Sequence, residues 1–349
     1  MQPSTRQVWN NYMKAYAQAI GNPNVVRNET AHYPPLAQQK TFLRVAERAE
    51  FLKNVNHIPV TAQLGQRVGV GVSQPLASRT NTDIEERRTR EIADLQGDEY
   101  RCMQTNTDTH ISYRTLDSWA HMDNFQKTYN GSLSLQKARD RLMIGFNGET
   151  AAPVTDKTAN PLLQDVNIGW LAKVRNSEPS RILGYDSDGA ATTDTYKVGE
   201  GGNYKTLDML VFDMITNLLD AWHQGADDLV VLVGREIWTS HGLSLLSNST
   251  LPTERNALST WFAAQTVAGL PCIMPPFFPV RGVVVTSYSN LSIYYQLGTL
   301  RRAIIDNPKR DRLEEYHSEN EAYVVEDFGK FAGVRNGAIL LPTGAGEWV

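Results

Sequence analysis

The sequence is poor in the residues that build disulfide and metal sites. Only Cys102 and Cys272 are present, and they form no CxxC pair and do not cluster with histidine. Because disulfide frameworks and thiolate metal sites need several cysteines at short spacings, neither is indicated. The seven histidines include no pair at i, i+4 or at another zinc-like spacing. We therefore expect no metal site and no cofactor.

Long apolar runs and a strong excess of one charge are also missing. The longest apolar stretches, such as Leu229–Val233, are far too short to cross a bilayer, and the first residues form no basic-then-apolar signal. A cytoplasmic start is therefore expected. The net charge of −4 argues against a dedicated nucleic-acid binder. With 41% hydrophobic and 21% charged residues, the chain can bury one large core or two modest ones.

Catalytic and phosphate-binding motifs are scarce as well. A strand-like run leads through Gly234 into a helix, where α/β proteins often bind phosphate, but the turn lacks both GxGxxG and a Gly-Lys-Thr sequence. Adjacent carboxylates such as Glu314 and Glu315 would point to opposite faces of a strand, which does not suit acid–base pairing. We expect no enzyme activity, and a cytosolic α/β enzyme that binds phosphate at Gly234 stays as the least favoured alternative.

Helical periodicity is clear near the start of the chain. Apolar residues between 4 and 20 recur at helical spacing and predict an amphipathic helix. Residues 21 to 41 are polar and carry three prolines, which indicates an extended arm. A second helix is predicted from Thr41 to about Asn54.

A long hairpin with a charged tip is predicted next. Strand-like runs at His57–Ala62 and Gln66–Ser73 lead into about thirty residues with few large apolar side chains, and an alternating strand returns at Tyr100–Tyr113. A lone hairpin is marginally stable in water, so it needs a surface to lie on, such as that of a neighbouring molecule. The alternative for the tip is a solvated loop. The candidate intersubunit residues at this tip are Asp83, Glu85, Glu86, Arg87, Arg88 and Arg90.

The rest of the chain predicts an α+β protein with a compact α/β domain in its middle. Trp119, Tyr129, Trp222 and Trp261 fall at helical core positions. The predicted helices cover Phe125–Phe146, Leu207–Trp222, a segment from Arg235, and Glu254–Val267. The predicted strands of the middle region cover Leu229–Val233, Pro271–Met274, Gly282–Thr286 and Leu291–Gln296. Three later strands, Leu300–Asp306, Arg312–Tyr316 and Ala322–Asp327, are expected to pair with earlier segments rather than with the middle domain.

Several short strings, in one order along nearly the whole chain, resemble the major capsid proteins of P2-like tailed bacteriophages. They are YRTLD from Tyr113, GFNG from Gly145, NPLLQDV from Asn160, DLVV and VGR from Asp228, NLSIYY from Asn290, Asn307-Pro308, Asp311-Arg312, and YVVED from Tyr323. The resemblance implies an HK97-like capsid fold. It assigns residues 1–55 to an N-arm, 56–113 to an extended E-loop hairpin with its base strands, 114–159 and 299–349 to a peripheral domain with a long spine helix, and 160–298 to an axial domain.

The resemblance also implies a function and partners. The chain would self-assemble as hexamers and pentamers into an icosahedral shell around phage DNA, through a scaffold-assisted procapsid that then matures. The partners implied are an internal scaffold that is also a protease, a portal protein, external scaffold or decoration proteins, and packaged DNA contacted non-specifically, with no membrane. The implied location is the virion capsid, assembled in the host cytoplasm. Ala31 and His32 flank the candidate maturation cleavage. An encapsulin-like compartment shell protein is the main alternative.

Overall fold

The computed structural model describes residues 1–20, 30–67, 77, 79–84, 86–87, 99–119, 125–248, 265–343 and 347–349. Its helices are α1 (Pro3–Ile20), α2 (Pro35–Ala46), α3 (Glu50–Asn54), α4 (Tyr113–Trp119), α5 (Phe125–Asn147), α6 (Trp170–Ser177), α7 (Leu207–Leu218) and α8 (Arg235–Asn248). Its first strands are β1 (Ala31–His32), β2 (Asn56–Val60), β3 (Leu64–Gln66), β4 (Glu99–Arg101), β5 (Met103–Asn106), β6 (Thr109–Ser112), β7 (Ile182–Leu183), β8 (Tyr196–Lys197) and β9 (Leu229–Val233). The later strands are β10 (Thr266–Val267), β11 (Leu270–Ile273), β12 (Val283–Ser287), β13 (Leu291–Gln296), β14 (Arg301–Asn307), β15 (Arg312–Val325), β16 (Ala332–Val334) and β17 (Ile339–Leu340).

A seven-stranded sheet is organised around β15, which is 14 residues long. Its first half pairs with β6 and β14, and its second half pairs with β5 and β13. The short strand β1 continues the sheet beyond β14, and β2 continues it beyond β13. The spine helix α5 and helices α2, α3 and α6 pack against it in one core, in which Trp170 is fully buried. This sheet therefore carries both the N-arm and the base of the hairpin.

A second sheet of six strands runs in the order β10-β11-β9-β12-β16-β7. Every residue of its two central strands, β9 and β12, is buried. Since both faces of these strands are covered, their residues do not alternate between apolar and polar, and the polar exceptions, Thr286 and Ser287, stand at the end of β12. Helix α7 packs against this sheet in a separate core. The expected α+β architecture with a long spine helix and a middle α/β unit agrees with these two sheets.

Two predicted helices differ from the structure. The predicted helix at 41–54 is wrong in its bounds, because α2 already begins at Pro35 and the helix breaks after Ala46 before α3. Proline is favoured in the first turn of a helix, where its missing amide hydrogen has no partner to lose. Helix α7 ends at Leu218, since Leu219 is extended, and Trp222 is 53% exposed rather than in the core.

Other predicted features fall partly outside the described residues. Most of the predicted helix at 254–267 does so, although Thr266–Val267 forms strand β10. The side chains of Trp119 and Trp261 lie outside the described part of the chain too. The structure has two strands where three C-terminal strands were predicted, because β15 runs without interruption through residues 317 to 321 and joins the second and third.

The strands of the two sheets do not divide at residue 298, where the expected axial domain ends. Strand β13, within the range 160–298, pairs with β15 and β2 in the seven-stranded sheet. Strand β16, within the range 299–349, pairs with β12 and β7 in the six-stranded sheet. Pairing between strands far apart in sequence leaves no trace in local periodicity, so the sequence reveals these strands but not their neighbours.

Candidate intersubunit surfaces

The stem of the hairpin is anchored on the seven-stranded sheet. Strands β3 and β4 pair antiparallel, with Gly65 opposite Tyr100. A side chain at Gly65 would collide with the Tyr100 ring, so glycine allows that ring to lie across the stem. Tyr100 contacts Tyr294 edge-on, with ring centroids 5.0 Å apart, and Cys102 beside it is fully buried. The antiparallel pairing at the stem of the predicted hairpin is thus confirmed, with its root packed against Tyr294, whereas most of the predicted strand Gln66–Ser73 lies outside the described residues.

The described residues of the hairpin tip all face solvent. Asp83, Glu86 and Arg87 are exposed, while Glu85, Arg88 and Arg90 lie outside the described residues. A turn shapes the tip, because the Asn81 side chain accepts a hydrogen bond from the Asp83 amide (3.1 Å) and its carbonyl accepts one from the Ile84 amide (3.1 Å). Ile84 is 79% exposed. The tip therefore presents an aliphatic side chain beside an acidic one.

The N-terminal helix α1 covers the edge of the seven-stranded sheet beside β14. Met13 and Ala17 are buried in a small core with residues of β1 and β14. The Arg302 guanidinium lies 4.5 Å from the centre of the Tyr16 ring, and the Asn130 amide donates to the Tyr12 hydroxyl (3.2 Å). These contacts tie the N-arm to both the sheet and the spine helix. The predicted amphipathic helix is confirmed.

The candidate cleavage site lies inside this arrangement. Ala31 and His32 form strand β1, in which they pair with Arg302 and Arg301 of β14. Ala31 is fully buried. A protease needs an accessible, extended segment, so β1 would have to leave β14 before this bond could be cut.

A buried ionic cluster joins the spine helix to β15. The Arg141 guanidinium donates to the carboxylates of Glu319 and Glu321, at 2.8 Å each, and lies 3.7 Å from the centre of the Phe42 ring. All three charged side chains are at most 8% exposed. Because a buried charge is tolerated only when it is paired, this cluster fixes how the spine helix sits on the sheet.

Burial shifts the pKa values of the groups in and beside this cluster. Burial raises the pKa of Glu321 to about 7, against the opposing effect of Arg141. Burial would also raise the pKa of Glu319, but Arg141 and its other positive neighbours lower it. Burial lowers the pKa of Lys137 to about 8, and burial together with the charge of Lys137 lowers that of His317 to about 3. The cluster is therefore sensitive to pH.

Sequence reasoning missed this cluster, although a signal was present. Lys137 and Arg141 are four residues apart on a helix, and His317, Glu319 and Glu321 alternate along one face of a strand. Each half reads as a solvated charged face when it is taken alone. Only the packing of α5 on β15 shows that the two halves face each other.

The turn at Gly234 is closed by a neighbouring loop. The Gly234 amide donates to the Gly282 carbonyl (2.9 Å), and the Glu236 amide donates to the Val280 carbonyl (3.3 Å). A side chain at Gly234 would overlap the carbonyls of Val280 and Pro279. The glycine thus serves the close approach of two backbones, and two amides that a phosphate would need already have partners.

Neither a candidate metal site nor a membrane-spanning helix occurs among the residues that the structure describes. No group of three or more histidine, cysteine, aspartate or glutamate side chains is placed to hold a metal ion among the residues that the structure describes. Within the same part of the chain, no helix combines the length and apolarity needed to span a membrane.

Comparison with known proteins gives one consistent family. Residues 8–336 match the family model described as phage major capsid protein, P2 family. The chain is 35% identical over 331 residues to the capsid proteins of Escherichia phage P2, which covers 94% of this chain and 93% of that one. It is also 35% identical over 350 residues to the major capsid protein of Serratia phage KSP20, which covers 99% and 100%.

Solved structures agree with this family. A chain in the satellite phage P4 procapsid, which includes the size determination (Sid) protein, superposes with a TM-score of 0.79 at 33% identity over 98% of this chain and 99% of that one. The capsid of an empty GTA particle superposes with a TM-score of 0.54 at 12% identity, over 82% and 89% of the two chains. The second likeness shows the shared fold alone.

Proposed function

The chain belongs to the P2 family of phage major capsid proteins, and we propose that an internal scaffold guides its assembly into an icosahedral shell around phage DNA. The observation that best supports this proposal is the hairpin. Its root is packed against Tyr294, whereas Asp83, Ile84 and Glu86 at its tip are exposed in the single chain. An extended hairpin with so little of its own to bury gains stability by lying on an adjacent copy.

Assembly would be collective. A standard protein contact buries about 800 Å² per partner and is individually modest. Each copy would contact several neighbours within hexamers and pentamers, and ring closure raises the effective concentration of every further contact. Charged residues at the tip would set the register between copies, so that assembly depends on salt concentration.

The N-arm is the proposed site of maturation. An internal scaffold that is also a protease would remove part of it after assembly, with the bond between Ala31 and His32 as our candidate. Since Ala31 is buried in the sheet, cleavage there would require β1 to detach first. A portal protein and external scaffold or decoration proteins are further proposed partners, with non-specific contact to packaged DNA. Assembly would take place in the host cytoplasm.

Reversing two charges at the tip tests the role of the hairpin. We expect Arg87→Glu/Arg88→Glu to reduce the yield of closed shells when the chain is expressed with its scaffold, because the reversed charges would meet their former partners with repulsion. The fold should survive, since Arg87 is exposed. Particle yield by electron microscopy and subunit folding by circular dichroism are the two measurements.

Arg87→Lys/Arg88→Lys is the matched control, because it keeps both positive charges and should assemble as the natural chain does. An unchanged particle yield from the glutamate variant would count against an intersubunit role for these arginines.

A further inference from the structure

A cavity of about 270 Å³ lies where α5 and α6 meet the edge of the six-stranded sheet. An apolar cavity of about 150 Å³ accommodates benzene, so this cavity of about 270 Å³ is large enough for an aliphatic side chain. Its apolar lining is formed by Phe146, Leu171, Ile182, Phe278, Val284 and Val334. Its lining includes exposed side chains such as Leu162 and Asn336, so a side chain of another molecule can reach it from solvent.

The lining of this cavity carries an excess of positive charge. The guanidinium groups of Arg175 and Arg335 lie 5.8 Å and 6.0 Å from the centre of the Tyr185 ring. Arg175 is paired with Glu149 at 2.6 Å, whereas Arg335 donates one hydrogen bond to the Thr192 carbonyl (3.1 Å) and is in none of the ion pairs of the described residues. Two guanidinium groups thus stand against one carboxylate, which favours an occupant with acidic groups beside an apolar one.

The first part of the hairpin tip, residues 82 to 86, has this chemistry, and the basic residues Arg87, Arg88 and Arg90 follow it. Ile84 is 79% exposed and follows exposed Asp83 in a turn, and Glu85 and Glu86 come next in the sequence. Ile84 differs from the other exposed large hydrophobic side chains in its sequence neighbours. Of the two residues before it and the two after it, three are acidic. An aliphatic side chain between carboxylates complements an apolar cavity bordered by guanidinium groups.

We propose that the hairpin tip of one copy docks in this cavity of a second copy, with Ile84 buried among the apolar side chains and Asp83 and Glu86 directed to Arg175 and Arg335. The inference rests on the proposed function, since it needs copies side by side in a shell. A second copy is the occupant because the chain belongs to a capsid protein family and Ile84 is exposed within its own chain. Charge complementarity supports the same pairing.

Crosslinking between engineered cysteines tests this contact. Asn336 is exposed and borders the cavity, so the variant Ile84→Cys/Asn336→Cys would place two thiols close together across the interface. Both native cysteines are buried and react slowly. We expect a short bismaleimide to give covalent dimers and higher oligomers from assembled particles, and none from unassembled subunits.

Ile84→Cys/Val154→Cys is the matched control. Val154 is 84% exposed but does not border the cavity, so this pair should give no more crosslinked product than the natural chain. If Asn336→Cys prevents particle formation, Gln164→Cys replaces it, since Gln164 also lines the cavity.

The outcomes separate this inference from the proposed function. Particles that form normally, yet crosslink through neither cavity pair or equally through the Val154 pair, would overturn the docking site and leave the shell function standing. Failure of the natural chain to form particles would instead refute the proposed function.

Discussion

Replacing Arg141 by methionine probes the cluster that holds the spine helix on β15. The substitution keeps much of the side-chain volume but removes the guanidinium that Glu319 and Glu321 share at 2.8 Å each. Breaking a buried ion pair by removing one partner lowers the free energy of unfolding by about 3–5 kcal/mol. At about 1.4 °C per kcal/mol for a chain of 349 residues, the midpoint of thermal unfolding should fall by about 4–7 °C.

The loss should depend on pH in a defined direction. The pKa of Glu321 in the folded protein is about 7, above its ordinary value of 4.5. The folded state therefore binds more protons than the unfolded state between these values, so this group makes the protein less stable as pH rises through that window. Without Arg141 the two carboxylates lose their compensating charge, and we expect Arg141→Met to be more destabilising at pH 8 than at pH 5.

The assay is thermal and urea unfolding of the unassembled subunit, followed by circular dichroism. The triple variant Arg141→Met/Glu319→Met/Glu321→Met is the comparison, because it removes both carboxylates together with the guanidinium that they share, and replacing a buried ion pair or triad by apolar side chains is often neutral or stabilising. It should recover most of the stability that the single variant loses. A single variant within about 1 kcal/mol of the natural chain, or a triple variant less stable than the single one, would refute the assigned role of the cluster.

Two further predictions concern His317 and Gly234. The pKa of His317 is about 3 in the folded protein, against an ordinary value of 6.5. Between these values only the unfolded state takes up a proton, so stability is lost as pH falls. From pH 7 to pH 4.5 the free energy of unfolding should fall by about 2–3 kcal/mol because of this group. Over the same pH range, the free energy of unfolding of His317→Gln, measured with urea, should fall by about 2–3 kcal/mol less than that of the natural chain. Equal falls in the two proteins would contradict this prediction. Gly234→Ala should destabilise the subunit by about 1–3 kcal/mol, because its side chain would overlap the Val280 and Pro279 carbonyls. Gly225→Ala, with nothing within 4 Å, should be nearly neutral, and equal thermal midpoints would show that the turn is not closed as described.

Local periodicity was sufficient to predict the most regular elements. The strand Leu229–Val233 was predicted with the bounds that the structure has, and so was Leu291–Gln296. The spine helix differs by one residue at its end, Asn147. In each case one face or both faces are apolar, so the burial pattern and the sequence pattern coincide.

Non-local arrangements could not be predicted in the same way. The parallel partner of Leu291–Gln296 is Asn56–Val60, more than two hundred residues earlier, and no sequence pattern joins the two. Trp222 was placed in the core by its spacing from the residues of α7, but that helix ends at Leu218. A periodicity continues in the sequence even where the backbone stops being helical.

For the candidate contact residues, the sequence predicts exposure but not the surface that they would contact. A charged segment with little to bury correctly indicated an exposed tip at Asp83, Glu86 and Arg87. The sequence did not connect that tip with the cavity near Arg175 and Arg335, because the cavity is assembled from segments far apart in the chain. Resemblance to the capsid family supplied the function, which no catalytic or binding motif in the chain would have indicated.

Electron cryomicroscopy of the product of co-expression with the scaffold tests the central claim most directly. We expect closed or partial shells in which the hairpin of residues 56–113 of each copy lies on an adjacent copy. Particles absent from a well-folded preparation, or a hairpin that folds back onto its own chain within each copy, would contradict it.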